Sequence, residues 1–96
     1  MLFRRRCYRT NFRQGQITID EMKNKIKQGA IIIDVRSKQE YNEGHIQDAI
    51  NIPDHEVNNN IENIVRDKNQ LVVLYCQSGS RSQNAYIKML RKGYKN

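Results

Sequence analysis

A chain of 96 residues with 38% hydrophobic and 28% charged residues fits one small soluble globular domain and excludes a disordered polymer. No apolar run approaches the roughly 18 residues that cross a bilayer, and the opening "MLFRRRCYRT" places arginines where a secretory signal carries its apolar stretch; a cytoplasmic setting is expected. The net charge of +7 is unevenly spread, because residues 1–13 hold five arginines and no acid while residues 14–96 hold twelve basic and ten acidic residues.

Residues 1–15 therefore read as a basic N-terminal tail and residues 16–96 as the folded domain. Such a tail can attract nucleic acid or anionic lipid. A solvated terminus is the favoured reading of the charge, and no nucleic-acid partner is expected.

The first element in the domain is "QIT" (16–18), a short strand or extended entry. Thr18 and Glu21 have capping-box spacing. Ile19, Met22 and Ile26 then recur at helical intervals up to Gly29, where a C-terminal cap is expected. "AIIIDV" (30–35) is a continuous β-branched run of the kind found in strands buried on both faces. A short helix over Lys38–Asn42 closes at Gly44. "AINIP" (49–53) reads as a short strand ended by the one proline of the chain. Val57, Ile61, Ile64 and Val65 mark helical turns within 54–66. "LVVLYC" (71–76) is a second buried strand, and residues 81–92 form an amphipathic helix stopped by Gly93. Strands alternating with helices at this spacing predict an α/β fold: a largely parallel central sheet of about four strands, flanked by helices on both faces.

Two cysteines, Cys7 and Cys76, are expected as thiols rather than as a disulfide, since one falls in the tail and the other at a strand end. No metal site is expected: there is no CxxC motif, and His45 and His55 are poorly spaced for ligation.

Cys76 is placed where chemistry is expected. In parallel α/β sheets ligands bind beyond the carboxyl ends of the strands. Cys76 ends one such strand, and the loop after it runs into a helix N-terminus, whose unpaired N–H groups attract anions and favour a thiolate. Small residues let the loop amides converge as an anion nest, and Gly79 tolerates the positive φ that this curling requires. Arg81 adds a permanent charge with a fork suited to a sulfonate, sulfate or phosphate. A cysteine ending a buried strand can also be merely a small core residue; the Gly, Ser and Arg context favours the nucleophile.

"IIIDVRSKQEYNEGHIQDAINIP" followed by "VLYCQSGSRS" resembles the rhodanese-like, or thiosulfate sulfurtransferase, family from about Thr18 to Lys95. Three blocks in the family's order carry the likeness: Asp-Val-Arg after a strand, Glu-Tyr-x-x-Gly-His-Ile with Ala-x-Asn-Ile-Pro, and the cysteine loop. The resemblance implies that Cys76 accepts the outer sulfur of a donor such as thiosulfate as a persulfide, then passes it to cyanide or a thiol. It implies that the amides of Gln77, Ser78, Gly79, Ser80, Arg81 and Ser82 stabilise the persulfide anion and that Arg81 binds the donor's sulfonate. The implied partners are a small anionic donor, a thiol or cyanide acceptor and a sulfur-relay protein; no metal or organic cofactor is implied.

Related dual-specificity phosphatases have five residues between Cys and Arg, and here Cys76 and Arg81 are separated by four, which favours sulfur over phosphate. Asp34 and Arg36 read as structural residues at a strand end. The resemblance suggests that Arg36 pairs with Glu40 or Glu43, neutralising charge at a partly buried site. Histidine as a residue type invites a general-base role, but His45 reads as a structural hydrogen-bonding residue of the "GHI" block.

The chain departs from the family after "KGYKN", where a further strand, a Gly-Gly turn and a closing helix are expected. That strand ordinarily lies inside the sheet beside the first one. Its loss predicts unpaired edges and self-association, and it keeps open a second role as a non-catalytic binding or sulfur-relay module.

Overall fold

The protein's structure, a computed structural model, describes residues 7–10, 15–77 and 80–95, with side chains from residue 17 onward. In chain order the elements are β1 (Cys7–Thr10), β2 (Gly15–Ile17), α1 (Ile19–Lys27), β3 (Ile31–Asp34), α2 (Lys38–Asn42) and β4 (Ile50–Asn51), then a 3-10 turn (Asp54–Glu56) leading into α3 (Val57–Ile64), and finally β5 (Val72–Cys76) and α4 (Ser80–Arg91).

The two β-branched runs form the centre because every second side chain points to the opposite face. In β5, Val72, Leu74 and Cys76 join Ile33 of β3 in one apolar layer with Val57 and Ile61 of α3 and Ala85 and Met89 of α4. Val73 and Tyr75 of β5 join Ile32 of β3 in the other layer, with Met22 of α1 and the half-buried Tyr41 of α2. The sheet is thus covered on both faces, as the unbroken apolar runs predict. Tyr94, just beyond α4, closes the first layer with its hydroxyl donating to the Val65 carbonyl.

Local chemistry sets the helix boundaries. Thr18 and Glu21 form the expected capping box at the start of α1, and Ser37 and Glu40 form a second one at α2. Gly29 and Gly93 take φ of +92° and +93° after α1 and α4, conformations a β-carbon disfavours.

The five-stranded sheet has the order β2-β1-β5-β3-β4. β5, β3 and β4 are mutually parallel, so their carboxyl ends share one edge. β1 runs antiparallel to both β5 and β2. The expectation of a tail over residues 1–15 is corrected here: residues 7–10 are an interior strand, and residue 15 begins β2. The interior position expected to be empty, beside the first predicted strand, is the one β1 occupies. Cys7, expected in a solvated terminus, is the register partner of Cys76. The remaining tail residues, 1–6 and 11–14, lie outside the described residues. An interior strand needs only backbone pairing on both sides, and four residues among arginines leave no hydrophobic alternation to betray it.

Candidate active site

Cys76 is the last residue of β5, and α4 begins four residues later. The alternation that orders β5 turns its side chain toward α4, where it is 0% exposed. Two groups from Ser82, in the first turn of α4, converge on the sulfur. The Ser82 N–H donates to Sγ at 3.3 Å, and the thiol donates to Ser82 Oγ at 3.2 Å. The same hydroxyl can donate to a thiolate, since its hydrogen rotates. Ser82 is itself fully buried. Gln77 is half-buried and Ser80 exposed; Ser78 and Gly79, expected to complete the nest, lie outside the described residues.

Arg81 makes a contact that the motif reading missed. Its guanidinium fork grips Glu40 of α2, Nη1 on Oε1 and Nη2 on Oε2, the second bond being 3.0 Å. Because α2 covers one face of the sheet and α4 the other, this pair bridges the two helical layers across the carboxyl ends of the strands. Hydrogen bonding to Glu40 raises the Arg81 pKa above its ordinary value against the opposing effect of burial, with lesser charge contributions from Glu40, Cys76 and Asp34. Glu40 responds in kind: its carboxyl falls from 4.5 to about 2, first through the Arg81 bond, opposed by burial and helped by Ser37. Ser37 supplies both its backbone N–H, at 3.1 Å, and its hydroxyl, at 3.0 Å, to Glu40 Oε1. The signal for this placement was present in "SKQE": a capping box fixes Glu40 in the first turn of α2, at the sheet edge where α4 also begins.

The expected partner of Arg36 is corrected in the same way. Arg36 bonds to Asp34, two residues away, rather than to Glu40 or Glu43. Nε lies 3.0 and 3.1 Å from Oδ1 and Oδ2, and Nη2 lies 2.7 Å from Oδ2. Nη2 also donates to the Gly44 carbonyl at 2.7 Å, and the guanidinium stands 5.0 Å from the centre of the Tyr75 ring. Asn51 closes the cluster by donating to the carbonyls of Asp34 at 2.9 Å and Arg36 at 3.0 Å. Burial lowers the Arg36 pKa, but the hydrogen bond and charge of Asp34 outweigh it and leave the value raised. Glu43 caps the end of α2 and is exposed. His45 is exposed, stacks on Tyr41 with ring centres 3.7 Å apart, and bonds through Nδ1 to the Tyr41 carbonyl at 2.8 Å. The site residues therefore divide in two: Ser82 contacts the Cys76 sulfur and its neighbour Arg81 pairs with Glu40, while Asp34 and Arg36 tie the strand end and His45 stacks on Tyr41.

No described helix is long and apolar enough to cross a membrane. No cluster of three or more metal-ligating side chains occurs among the described residues.

The structure is that of an α/β protein in which a cysteine at the end of a parallel strand is bonded into the first turn of the following helix. Residues 18–96 match the rhodanese-like domain, and the chain belongs to that family. It is similar to the thiosulfate sulfurtransferase PspE of Escherichia coli (strain K12), 44% identical over 65% of this chain and 60% of the relative. It is also similar to a sulfurtransferase of Allochromatium vinosum, 34% identical over 67% of this chain and 58% of the relative. A probable molybdopterin-synthase adenylyltransferase of Porphyra purpurea is 30% identical over 83% of this chain, which is 22% of that protein. The chain thus spans about three-fifths of the two sulfurtransferases and about a fifth of the larger relative.

Proposed function

We propose that this chain is a sulfurtransferase that carries sulfane sulfur on Cys76. The observation that carries the reading is the convergence of the Ser82 N–H and hydroxyl on Cys76 Sγ, with Arg81 one residue before Ser82. In the first step the Cys76 thiolate attacks the outer sulfur of thiosulfate. A Cys76 S–S bond forms, the donor's S–S bond breaks, and sulfite leaves with the bonding electron pair. In the second step cyanide or a thiolate attacks the outer sulfur of the persulfide, releasing thiocyanate or a new persulfide and regenerating the Cys76 thiolate. Charge is conserved in both steps, and the covalent intermediate makes the reaction ping-pong. The Ser82 donors, with the amides of Gln77, Ser78, Gly79, Ser80 and Arg81, stabilise the anionic persulfide, and Arg81 receives the sulfonate end of the donor. A reducing cytoplasmic setting suits the reaction because it supplies thiol acceptors.

Intact mass spectrometry tests this reading. Thiosulfate adds the mass of one sulfur atom to the wild type, cyanide removes it, and Cys76→Ala shows neither change. Undiminished thiocyanate production by Cys76→Ala would sink the proposal. The complete burial of Cys76 favours a second reading, a non-catalytic module that docks a sulfur-relay partner. A folded wild type that gains no sulfur from thiosulfate supports that alternative.

A further inference from the structure

The proposed donor site already holds an anion. Arg81 is 32% exposed and Glu40 29% exposed, so solutes can reach the pair. The two side chains meet fork to fork, in the geometry a guanidinium uses for a sulfonate or sulfate. Every terminal nitrogen of Arg81 that a donor would use is bonded to one oxygen of Glu40.

Glu40 is also built to let go. Its Oε1 keeps the Ser37 backbone N–H at 3.1 Å and the Ser37 hydroxyl at 3.0 Å whether or not Arg81 remains. Losing Arg81 thus leaves a carboxylate with two donors and access to water, not a stranded buried charge. Holding and releasing Arg81 are both inexpensive, as a partly exposed ion pair requires.

We propose that Glu40 is an internal competitor for the sulfur donor, its carboxylate occupying the Arg81 fork until an anionic donor displaces it. Donors are then selected by how well their anionic end outcompetes a carboxylate on a guanidinium, which favours compact multiply charged oxyanions over monocarboxylates. Glu40 acts through Arg81 and touches no reacting atom, so it is a positioning and specificity residue. The inference rests on the reading of Arg81 as the donor's anchor.

The test is steady-state thiosulfate:cyanide sulfurtransfer by the full chain as wild type, Glu40→Gln, Arg81→Ala and the double variant. Glutamine preserves the capping-box geometry, and thermal melts verify that each variant is folded. Glu40→Gln is expected to lower the thiosulfate KM about 1.5- to 5-fold, the range of a partly exposed ion pair. The effect vanishes in the Arg81→Ala background, an outcome that a purely structural role for Glu40 would not produce. Titration with sulfate, followed by NMR of the Arg81 side-chain N–H signals, shows tighter binding to Glu40→Gln by a similar factor. If Arg81→Ala raises KM while Glu40→Gln leaves it unchanged or raises it, the competitor role is overturned and the anchor stands. If Arg81→Ala leaves KM unaltered, the anchor reading itself fails.

Discussion

Two arginine–carboxylate pairs stand at the carboxyl edge of the sheet, and their surroundings give them different work. Arg36 and Asp34 are 4% and 0% exposed. The guanidinium is held by three bonds to the carboxylate, a backbone carbonyl and the face of Tyr75. Arg81 and Glu40 lie 41 positions apart in the chain, remain partly exposed and rely on each other and on Ser37. The first pair is sealed from water, so breaking it strands a buried ion. The second is partly open to solvent, so water can solvate either member and, on the proposal above, an anion can take the place of the Glu40 carboxylate. Ion pairs of the same chemistry thus become a structural rivet or an exchangeable contact according to burial alone.

The comparison can be broken most severely at Asp34. Asp34→Ala leaves the Arg36 guanidinium buried without its counterion, and a loss of about 3–5 kcal/mol is expected, read by urea denaturation. A loss comparable to that of an exposed pair would show that Arg36 reaches water. Arg36→Lys keeps the charge but loses the fork; a cost of about 2 kcal/mol in the same assay is expected from one charged hydrogen bond. Glu40→Gln keeps the helix cap and removes only the charge, so its stability cost is at most about 1 kcal/mol. A larger loss would move this pair into the structural class.

The smallest effect is a dependence on pH. The Glu40 carboxyl is held at about 2 in the folded protein against 4.5 ordinarily, chiefly by Arg81. A lowered carboxylate pKa stabilises the fold above its unfolded value, and that contribution is lost as the pH falls from about 4.5 toward 2. Glu62, drawn down to about 2 by Lys68 and Lys92, titrates in the same window. The difference between wild type and Glu40→Gln therefore isolates Glu40: the two stabilities should converge on acidification, and parallel curves would contradict the assignment.

Much of this architecture was legible in the chain. The unbroken apolar runs at 30–35 and 71–76 became β3 and β5, and Thr18 with Glu21 capped α1. The α2 boundaries match the expected Lys38–Asn42. The cysteine loop could be located because a strand, small polar residues and a helix follow in order. Less legible were contacts between residues whose separation carries no period. Glu40 and Glu43 were the expected partners of Arg36, and spacing does not rank them against the Asp34 that the fold supplies. β1 escaped because an interior strand of four residues inside an arginine-rich stretch has no apolar signature of its own.

The sequence by itself determined the alternation of strands and helices, the caps, and the strand-to-helix junction that carries Cys76 and Ser82, because these depend on neighbours within a few residues along the chain. Only the tertiary structure decided that β1 completes the sheet, that Asp34 claims Arg36, and that Glu40 is left to hold Arg81. Those outcomes depend on which backbone edge and which charge are nearest in space after packing, and on how much water each retains.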